Sequence, residues 1–438
     1  MSRPRTAGPA MRIDRYELTM LSSFVEDGSV GNRAVFEAFA RRLPSGRRYG
    51  VLGGLGRLLP LIEDFRFDAE ETAWLLEVGA ITPATADYLR DFRFTGRISA
   101  YREGETWFPG SPVLTVEGTL GEGVVLETLV LSVLNHDSAI ASAASRMTTA
   151  AAGRPLIEMG SRRTHEDAAI SVARAAYVAG FDSTSNLAAG YLYGIPTVGT
   201  AAHAFTLAHH DEKEAFSSQV AAHGPGTTLL VDTYDIARGI RTAVEVAGPE
   251  LGAIRIDSGD LDVEARRARV LLDELGATRT RITVTSDLDE YVLAALAQAP
   301  IDGYGVGTRV ATGSGHPTAG MVYKLVAIAD SPDGPLRPVA KKAAGKVSAG
   351  GRKTAYRVHD EHGTAVTEGF VLGDAGELPG RPLQLVVAEA GRTLHNPTLR
   401  QVREHHAAAV AALPAEARLL TDGGPALTAT EARDGELT

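Results

Sequence analysis

The chain has 438 residues, with 44 Lys and Arg against 54 Asp and Glu, a formal net charge of -10 and no cysteine. This acidic balance disfavours phosphodiester backbones and anionic membranes, so we expect no nucleic-acid partner and no membrane association. The lack of cysteine excludes disulfides, thiolate catalysis and thiolate-bound metal clusters, and it is typical of the reducing cytoplasm, where we expect the protein to reside.

The first predicted region, residues 1–150, combines helical segments with a strand-and-turn block. That block lies at residues 92–120, where Gly and Pro separate short β-branched and aromatic runs. The most apolar run, VVLETLVLSVLN (residues 124–135), contains Glu127 and is shorter than the roughly 20 residues that cross a bilayer, so it predicts a core helix. The chain begins with basic residues but no apolar segment, and we expect no secretory signal.

The second predicted region, residues 151–330, repeats a short β-branched run, a turn and an amphipathic helix. This alternation predicts a parallel sheet. Seven such units favour a closed α/β barrel of about seven parallel strands, although a doubly wound open sheet shows the same alternation. The candidate strands are residues 154–160, 194–200, 227–233, 253–259, 281–287, 303–310 and 322–328.

The third predicted region, residues 331–438, returns to strands and turns at residues 337–371 and ends in a helical and polar tail. Two β-rich flanks therefore surround the α/β region. We predict that they fold together as one accessory domain built from both chain ends.

Polar residues gather at the carboxyl ends of the predicted strands, where barrel enzymes place their active sites. Any single Asp or Ser there is better explained as the N-cap of the next helix. Their recurrence at the same end of several units nevertheless favours a site. These residues are Arg162, His203, Asp232, Asp257, Ser258, Asp260, Ser286, Asp287, Gly305, Gly307 and Thr308.

Two of these strand ends are candidate phosphate sites. VTSDLDE places Ser286 and Asp287 before a helix, and GYGVGT places Gly305 and Gly307 where backbone N–H groups can approach an anion. Neither segment matches the P-loop or the complete GxGxxG pattern, so both nucleotide-loop interpretations fail. A tight strand-to-helix turn explains GYGVGT equally well.

The histidines are candidates for two kinds of chemistry, phosphoryl or proton transfer and metal binding. His203, in VGTAAHAF, suits a nucleophile or a proton carrier, although a loop histidine without a chemical role is the commoner case. The run HHDE at residues 209–212 resembles a set of metal ligands. Adjacent helical residues point about 100° apart, so we interpret this run as a solvated helix start. The sequence identifies no metal ligands.

One ordered set of motifs covers most of the chain. The motifs are DRYELTM (residues 14–20), VFEAFARRLP (35–44), GFDSTSN (180–186), IPTVGTAAHAF (195–205), LLVDTYD (229–235), IRIDSGDL (254–261), SDLDE (286–290) and GYGVGT (303–308). Together they resemble the nicotinate phosphoribosyltransferase family. The resemblance implies an irregular α/β barrel of the type II phosphoribosyltransferase kind, a β-rich domain from both chain ends and a homodimer with shared active sites.

The resemblance also implies a reaction. Nicotinate and 5-phosphoribosyl 1-pyrophosphate give nicotinate mononucleotide and pyrophosphate in NAD biosynthesis, with Mg2+ on the phosphates and ATP hydrolysis coupled to the cycle. Physically, this is a displacement at the anomeric carbon, with positive charge developing on the ribose as negative pyrophosphate departs.

Several substrate contacts follow from the resemblance. Tyr16 would stack on the pyridine ring from the neighbouring subunit, and Arg255 would bind nicotinate by a charge-assisted bond. Arg162 would bind the phosphoribosyl substrate, and Arg41 is a candidate for its pyrophosphate. The residues implied for the 5-phosphate and the ribose hydroxyls are Ser286, Asp287, Gly305, Gly307 and Thr308.

Three residues are implied in catalysis. His203 matches the family histidine that ATP phosphorylates, and Asp232 would orient its imidazole ring. Asp257 would lie beside the ribose, where its carboxylate could bind hydroxyls or favour the developing positive charge.

The sequence departs from the family pattern at Met159, where an aromatic ring-stacking residue is common, and at Asp287, where Asn is common. The nearest alternative function is that of a nicotinamide phosphoribosyltransferase, which carries an Asp where this chain has Ser185. Since an Asp would repel a carboxylate, Ser185 favours nicotinate. A catalytically silent barrel that acts as a scaffold or ligand sensor is the alternative from another class, and the retained His203 and Asp257 argue against it.

Overall fold

The computed structural model describes residues 7–341, 349–373 and 376–432. The chain divides into two compact units, of which the first contains Met1–Ala139 and Thr318–Thr438 and the second contains Ile140–Pro317. The domain limits at residues 150 and 330 stay predictions.

The amino-terminal part of the first unit is mixed. Its helices are α1 (Arg15–Glu26), α2 (Leu55–Glu63), α3 (Ala69–Glu77), α4 (Pro83–Arg90), α5 (Leu120–Val124) and α6 (Glu127–Ala150), the last of which continues into the second unit. Its strands are β1 (Arg33–Ala40), β2 (Gly50–Val51), β3 (Arg97–Tyr101), β4 (Thr106–Trp107) and β5 (Leu114–Thr119).

The second unit alternates strands with helices. Its strands are β6 (Leu156–Glu158), β7 (Ser183–Thr184), β8 (Thr228–Leu230), β9 (Ala253–Ile256), β10 (Arg281–Ser286) and β11 (Gly303–Val306). Its helices are α7 (Glu166–Val178), α8 (Leu187–Tyr193), α9 (His203–Leu207), α10 (Glu212–His223), α11 (Ile236–Ala247), α12 (Leu261–Glu274), α13 (Glu290–Ala295) and α14 (Thr308–Ala311).

The carboxy-terminal part of the first unit consists mainly of strands. They are β12 (Met321–Ile328), β13 (Arg337–Pro338), β14 (Lys353–His359), β15 (Ala365–Leu372), β16 (Arg381–Pro382), β17 (Gln384–Glu389), β18 (Arg392–Thr393) and β19 (Ala429–Glu431), with one helix, α15 (Leu399–Ala411). Part of the predicted strand-and-turn segment, residues 342–348, lies outside the described residues.

The first unit is built around an antiparallel sheet of seven strands in the order β13-β12-β1-β5-β3-β17-β18. Strand β1 is buried at every position after Arg33, which fits the apolar run VFEAFA. The ring of Phe36 on β1 stacks at 5.1 Å on that of Tyr323 on β12. Strands from both ends of the chain therefore share one sheet and one core.

Only one stretch of the described chain, Leu120–Ala150, is long and apolar enough to cross a membrane by length and composition. Of its most apolar window, 67% is buried inside the protein. The prediction of a core helix at residues 124–135 is therefore confirmed, with a break between α5 and α6 at residues 125–126.

The second unit contains a parallel sheet of six strands in the order β7-β6-β11-β10-β9-β8. The first of these strands along the chain, β6, pairs with the last, β11, as in a barrel. Hydrogen bonding among the described residues is interrupted between β7 and β8, so the sheet is a half-barrel and not a closed barrel of seven strands. Five of the seven predicted strands are confirmed: residues 154–160, 227–233, 253–259, 281–287 and 303–310.

Two of the predicted barrel strands are wrong. Residues 194–200 contribute only one isolated bridge, between Thr184 and Thr197, because Pro196 has no N–H to donate to a ladder. Residues 322–328 form β12, which pairs antiparallel with β1 in the first unit. A parallel crossover usually contains a helix that packs on the sheet, whereas residues 307–320 contain only the four-residue α14 and a 3-10 turn at Gly313–Gly315.

Candidate active site

The site lies where strands of the half-barrel end and the following helices begin. Asp235, Asp260 and Asp289 accept backbone N–H bonds as the N-caps of α11, α12 and α13. The N-cap interpretation is therefore right for Asp260. Asp232 and Asp257 precede those caps and bind other groups, so capping does not explain them.

Asp257 and Arg255 form the centre of the site. They stand two residues apart at the end of β9, so both side chains point to the same face of the sheet. A terminal nitrogen of Arg255 lies 3.1 Å from Oδ1 of Asp257, and this oxygen also accepts the hydroxyl of Thr285. The other bonds of Arg255 are from Nε to Thr285 Oγ1 and from its second terminal nitrogen to Thr200 Oγ1, each 2.9 Å.

These contacts hold Arg255 in place without using all its donors. A guanidinium has five N–H groups, and the bonds to Thr285, Thr200 and Asp257 leave an N–H on each terminal nitrogen. Only 14% of the Arg255 side chain is exposed, against 32% for Asp257. The remaining donors can therefore bind a planar carboxylate in a partly desolvated place.

Asp232 is the buried carboxylate of the site, with no exposure of its side chain. Its Oδ2 accepts the N–H of Asp257 at 2.8 Å and the hydroxyl of Ser258 at 2.7 Å. Its Oδ1 has no hydrogen-bond partner among the described residues and lies 3.9 Å from Nε2 of His203. Asp232 thus joins the end of β9 to the histidine.

His203 is the first residue of α9, and 43% of its side chain is exposed. Its Nε2 faces both carboxylates, at 3.9 Å from Asp232 and 4.0 Å from Asp257. On the other side of the ring, Nδ1 lies 3.2 Å from the hydroxyl of Thr233. The imidazole is therefore held between two acids and a hydroxyl, with part of it open to solvent.

The sequence analysis missed the threonines that support this arrangement. In the β9–β10 register, Thr283 pairs with Arg255, so Thr285 is level with Asp257. Residues two apart on a strand share a face, so the alternation in RITVTS could have predicted that both threonines lie on the same face of β10. Thr200 and Thr233 lie in loops outside the helices and strands, where no periodicity indicates the contact.

Ser286 stands at the end of β10 with a φ of 146°, a backbone conformation that only glycine adopts easily. Such strain at a ligand site is of the order of 1–3 kcal/mol. Ser286 and the next residue, Asp287, are exposed, and the β10–β11 register pairs Ser286 with Val306. The two predicted phosphate segments are thus neighbours.

The glycines of GYGVGT have different surroundings. A side chain at Gly305 would meet Thr285 Cγ2 at 2.5 Å and Met159 Sδ at 2.7 Å, so packing within the sheet requires this glycine. Gly307 precedes Thr308, the first residue of the short α14, and both are partly exposed. Met159 therefore fills space beside β11.

Ser185 and Arg162 follow β7 and β6, and both are exposed. The N–H of Ser185 donates to the backbone oxygen of Glu158 at 2.8 Å. The buried side chain of Glu158, which the sequence analysis did not single out, accepts the hydroxyl of Thr184 at 2.5 Å, and burial raises its pKa. Glu158 thus fixes the turn that presents Ser185.

Tyr16 and Arg41 belong to the first unit. The Tyr16 side chain is in α1, and 45% of the residue is exposed. Burial of its hydroxyl region and the charge of Glu127 raise the pKa of Tyr16. Its neighbour Glu17 is fully buried, and burial raises the pKa of Glu17 to about 7. Arg41 follows β1 and is exposed.

The run at residues 209–212 is not uniformly solvated. His210 and Asp211 are exposed, and Asp211 caps α10, as expected of a helix start. His209 packs its ring at 4.7 Å on Phe205, and Glu212 is only 5% exposed. The prediction of a solvated start is therefore wrong for Glu212, because position N1 of this helix turns towards the protein.

Three comparisons with known proteins agree. A family model described as the nicotinate phosphoribosyltransferase N-terminal domain matches residues 11–135. Nicotinate phosphoribosyltransferase pncB1 of Mycobacterium tuberculosis is 54% identical over 97% of this chain and 96% of its own length. The Bacillus subtilis nicotinate phosphoribosyltransferase is 38% identical over 80% of this chain and 73% of its own. The crystal structure of human nicotinic acid phosphoribosyltransferase matches 95% of this chain and 97% of that chain, with 25% identity and a TM-score of 0.81.

Proposed function

Because this chain belongs to the nicotinate phosphoribosyltransferase family of enzymes, we propose that it joins nicotinate to 5-phosphoribosyl 1-pyrophosphate in NAD biosynthesis and couples this reaction to ATP through phosphorylated His203. The observation that carries the proposal is the contact network of Asp257. Its carboxylate touches Arg255, its N–H binds Asp232, and its Oδ2 lies 4.0 Å from His203.

The network supports the chemistry of the transfer. The remaining N–H groups of Arg255 bind the carboxylate of nicotinate and orient its ring nitrogen towards the anomeric carbon. As the C–N bond forms and pyrophosphate leaves, positive charge develops on the ribose, and the partly exposed Asp257 carboxylate stabilises it. Arg162 binds the phosphoribosyl substrate. The assignment of Arg41 to the pyrophosphate stays a prediction.

The two strand ends beside this network suit the rest of the phosphoribosyl substrate. Ser286, with its strained backbone, donates its hydroxyl to the 5-phosphate, and the N–H groups around Gly307 and Thr308 bind the same group. Asp287 binds the ribose hydroxyls. Packing alone accounts for Gly305, so its role is to let β11 lie close to Met159.

The ring nitrogens of His203 have different roles. Two carboxylates face Nε2, and they favour the tautomer with the proton on that nitrogen. The lone pair of Nδ1 then accepts the hydroxyl of Thr233. When that hydrogen bond is given up, Nδ1 attacks the terminal phosphorus of ATP, releasing ADP and leaving the phosphoryl group on Nδ1. Water later removes this group as inorganic phosphate. Asp232 orients the ring throughout.

Mg2+ fits this site as an ion carried by the phosphates. Within the described ranges, no group of three or more His, Asp or Glu side chains is gathered to hold a metal. Mg2+ typically takes one or two carboxylates together with substrate phosphates and water, and Asp257 can supply one such ligand. The bound ion neutralises phosphate charge.

We also propose a homodimer with shared active sites, in which Tyr16 stacks on the nicotinate ring bound by the neighbouring subunit. Its exposed ring is available for such a contact. A cytoplasmic location stays a prediction.

A single assay tests the function. The purified chain is given phosphoribosyl pyrophosphate and Mg2+ with nicotinate or nicotinamide, with and without ATP, and products are identified by mass. Replacing the carboxylate by an amide removes a charge-assisted bond of about 1.5–3 kcal/mol, so nicotinamide should react at least tenfold more slowly. Equal turnover of the two would refute nicotinate specificity.

The ATP coupling has its own test. His203→Ala should lose nicotinate-stimulated ATP hydrolysis and the acid-labile phosphoryl group, while slow synthesis without ATP remains at high substrate concentration. His223→Ala, at an exposed histidine that ends α10, is the matched control and should behave as the unmodified protein. A phosphoryl group on another residue, or unchanged coupling in His203→Ala, would contradict the assignment.

A further inference from the structure

Arg309 is a cation between the two phosphate segments, residues 286–290 and 303–308, and the transfer reaction described above does not use it. It is the second residue of α14, directly after the segment at residues 303–308, and 49% of its side chain is exposed. Its Nε lies 4.0 Å from Oδ2 of Asp289, which belongs to the segment at residues 286–290. The guanidinium of Arg309 therefore reaches from one phosphate segment to the other.

The donors of Arg309 are not used within the fold. Among the described residues, its guanidinium makes this ion pair and no hydrogen bond, since 4.0 Å is too long for one. Oδ1 of Asp289 already accepts the N–H groups of Tyr291 and Val292. An exposed ion pair of this length stabilises a protein very little, so the fold does not require Arg309. Its five N–H groups are available to a ligand.

A buried cluster holds the two phosphate segments together. Nε of Arg146, on α6, donates to Oε1 of Glu290 at 3.2 Å, and the hydroxyl of Ser314 donates to Oε2 of Glu290 at 2.7 Å. Glu290 is 2% exposed and Arg146 is 4% exposed. Glu290 begins α13, and Ser314 comes three residues after α14 ends. The start of α13 is therefore tied to the turn after α14, and Arg309 is held beside Asp289 without a strong bond of its own.

The charges of the phosphate segments are unfavourable for an anion. The residues proposed above for the 5-phosphate, Ser286, Gly307 and Thr308, are uncharged, and Asp287 and Asp289 close to them are acidic. A phosphate group carries about −1.5 to −2 charges at pH 7, and neighbouring carboxylates repel it. A cation between the segments would offset this repulsion, and a guanidinium can bind two phosphate oxygens at once.

We propose that Arg309 binds the 5-phosphate of the phosphoribosyl substrate and supplies the positive charge that the other residues of this subsite lack. The inference deepens the proposed function and rests on it for the identity of the ligand. The two terminal nitrogens of Arg309 donate to two phosphate oxygens, while Nε stays beside Asp289. Arg309 is thus a specificity-determining residue, because it distinguishes a ribose that carries a 5-phosphate from one that does not.

The first experiment measures binding of three ligands to the full chain by calorimetry with Mg2+: phosphoribosyl pyrophosphate, ribose 5-phosphate and pyrophosphate. Arg309→Gln should raise the Kd of the two ligands that carry the 5-phosphate at least tenfold and leave the Kd of pyrophosphate unchanged. Arg309→Lys keeps the charge but not the paired donors, so it should lose less affinity. Arg281→Gln is the matched control, because Arg281 is an exposed cation at the opposite end of β10.

Two results would overturn the inference. The first is an unchanged Kd of phosphoribosyl pyrophosphate in Arg309→Gln, whose exposed position keeps the fold intact. The second is a higher Kd of pyrophosphate in the same variant, which would place Arg309 at the leaving group.

A second variant should act in the opposite direction. Asp289→Asn keeps an oxygen for the cap of α13 and removes a negative charge from beside the guanidinium. It should therefore lower the Kd of phosphoribosyl pyrophosphate at least twofold, whereas a purely structural role of the ion pair predicts no tighter binding. A Kd at or above that of the unmodified chain would contradict the inference.

A kinetic measurement separates this inference from the proposed function. Arg309→Gln should raise the KM for phosphoribosyl pyrophosphate at least tenfold and leave the KM for nicotinate within twofold. If the unmodified chain makes nicotinate mononucleotide and the variant has an unchanged KM, the inference fails and the proposed function stands. If binding of ribose 5-phosphate depends on Arg309 but no mononucleotide forms, the proposed function fails and the phosphate site stands.

Discussion

The charge of Asp232 should control how fast His203 is phosphorylated. Its Oδ1 is 3.9 Å from His203 Nε2, and Asp232→Asn would remove the charge while keeping an oxygen for the N–H of Asp257 and the hydroxyl of Ser258. Two unit charges about 4 Å apart interact by about 4 kcal/mol at an effective dielectric constant of about 20. Because the His203 side chain is 43% exposed, solvent screening lowers this to about 1–3 kcal/mol.

That energy corresponds to a rate loss of roughly 5- to 150-fold. The assay is rapid-quench measurement of phosphohistidine formed from ATP, together with nicotinate-stimulated ATP hydrolysis. Asp260→Asn is the control, because Asp260 caps α12 at an exposed position and Asn caps a helix equally well. A rate for Asp232→Asn within twofold of the unmodified protein, at an unchanged melting temperature, would refute the reasoning.

Three further predictions concern backbone strain, subunit sharing and pH. Ser286→Gly should raise the melting temperature, because glycine adopts the φ of 146° without the strain of about 1–3 kcal/mol, whereas Ser286→Ala should not; equal melting temperatures would contradict the strain. Inactive Tyr16→Ala and Asp257→Ala chains should regain part of the activity when mixed, since a hybrid dimer contains one intact site; no recovery despite measured subunit exchange would show that each chain builds its own site. Burial raises the pKa of Glu17 from 4.5 to about 7, so the folded state holds a proton that the unfolded chain releases in that window. The free energy of unfolding should therefore fall as pH rises through it, by at most about 1.4 kcal/mol per pH unit; urea unfolding at several pH values should show a shallower slope for Glu17→Gln, and identical slopes would count against the buried carboxyl.

The parallel strands of the half-barrel were readable from local sequence. Each of β6 and β8–β11 is a short apolar run followed by a turn, and burial of such a run on both faces depends mainly on its own residues. Which strand it pairs with, by contrast, does not depend mainly on its own residues. VYKLVAI has the composition of a barrel strand, yet its pairing with β1 depends on residues far away in the chain and on the short connection before it.

For the candidate site too, some features follow from local sequence and others depend on the tertiary structure. The recurrence of polar residues at strand ends predicted one site for Asp257, Asp232 and His203, because the carboxyl ends of parallel strands meet at one edge. The family resemblance added Arg255 to that prediction. The sequence likewise determined the family, which the 54% identity to a relative confirms. These conclusions need only local patterns and their order.

Only the tertiary structure decided which atoms face each other. It placed Thr285 and Thr200 on Arg255, turned Nε2 of His203 towards two carboxylates, and buried Glu212 in a run that is polar throughout its sequence. Hydrogen bonds and burial depend on side-chain direction to within about an ångström, and on groups brought together from several strands and turns. Sequence periodicity specifies the face of a helix or strand, whereas the packing of all its neighbours determines what that face contacts.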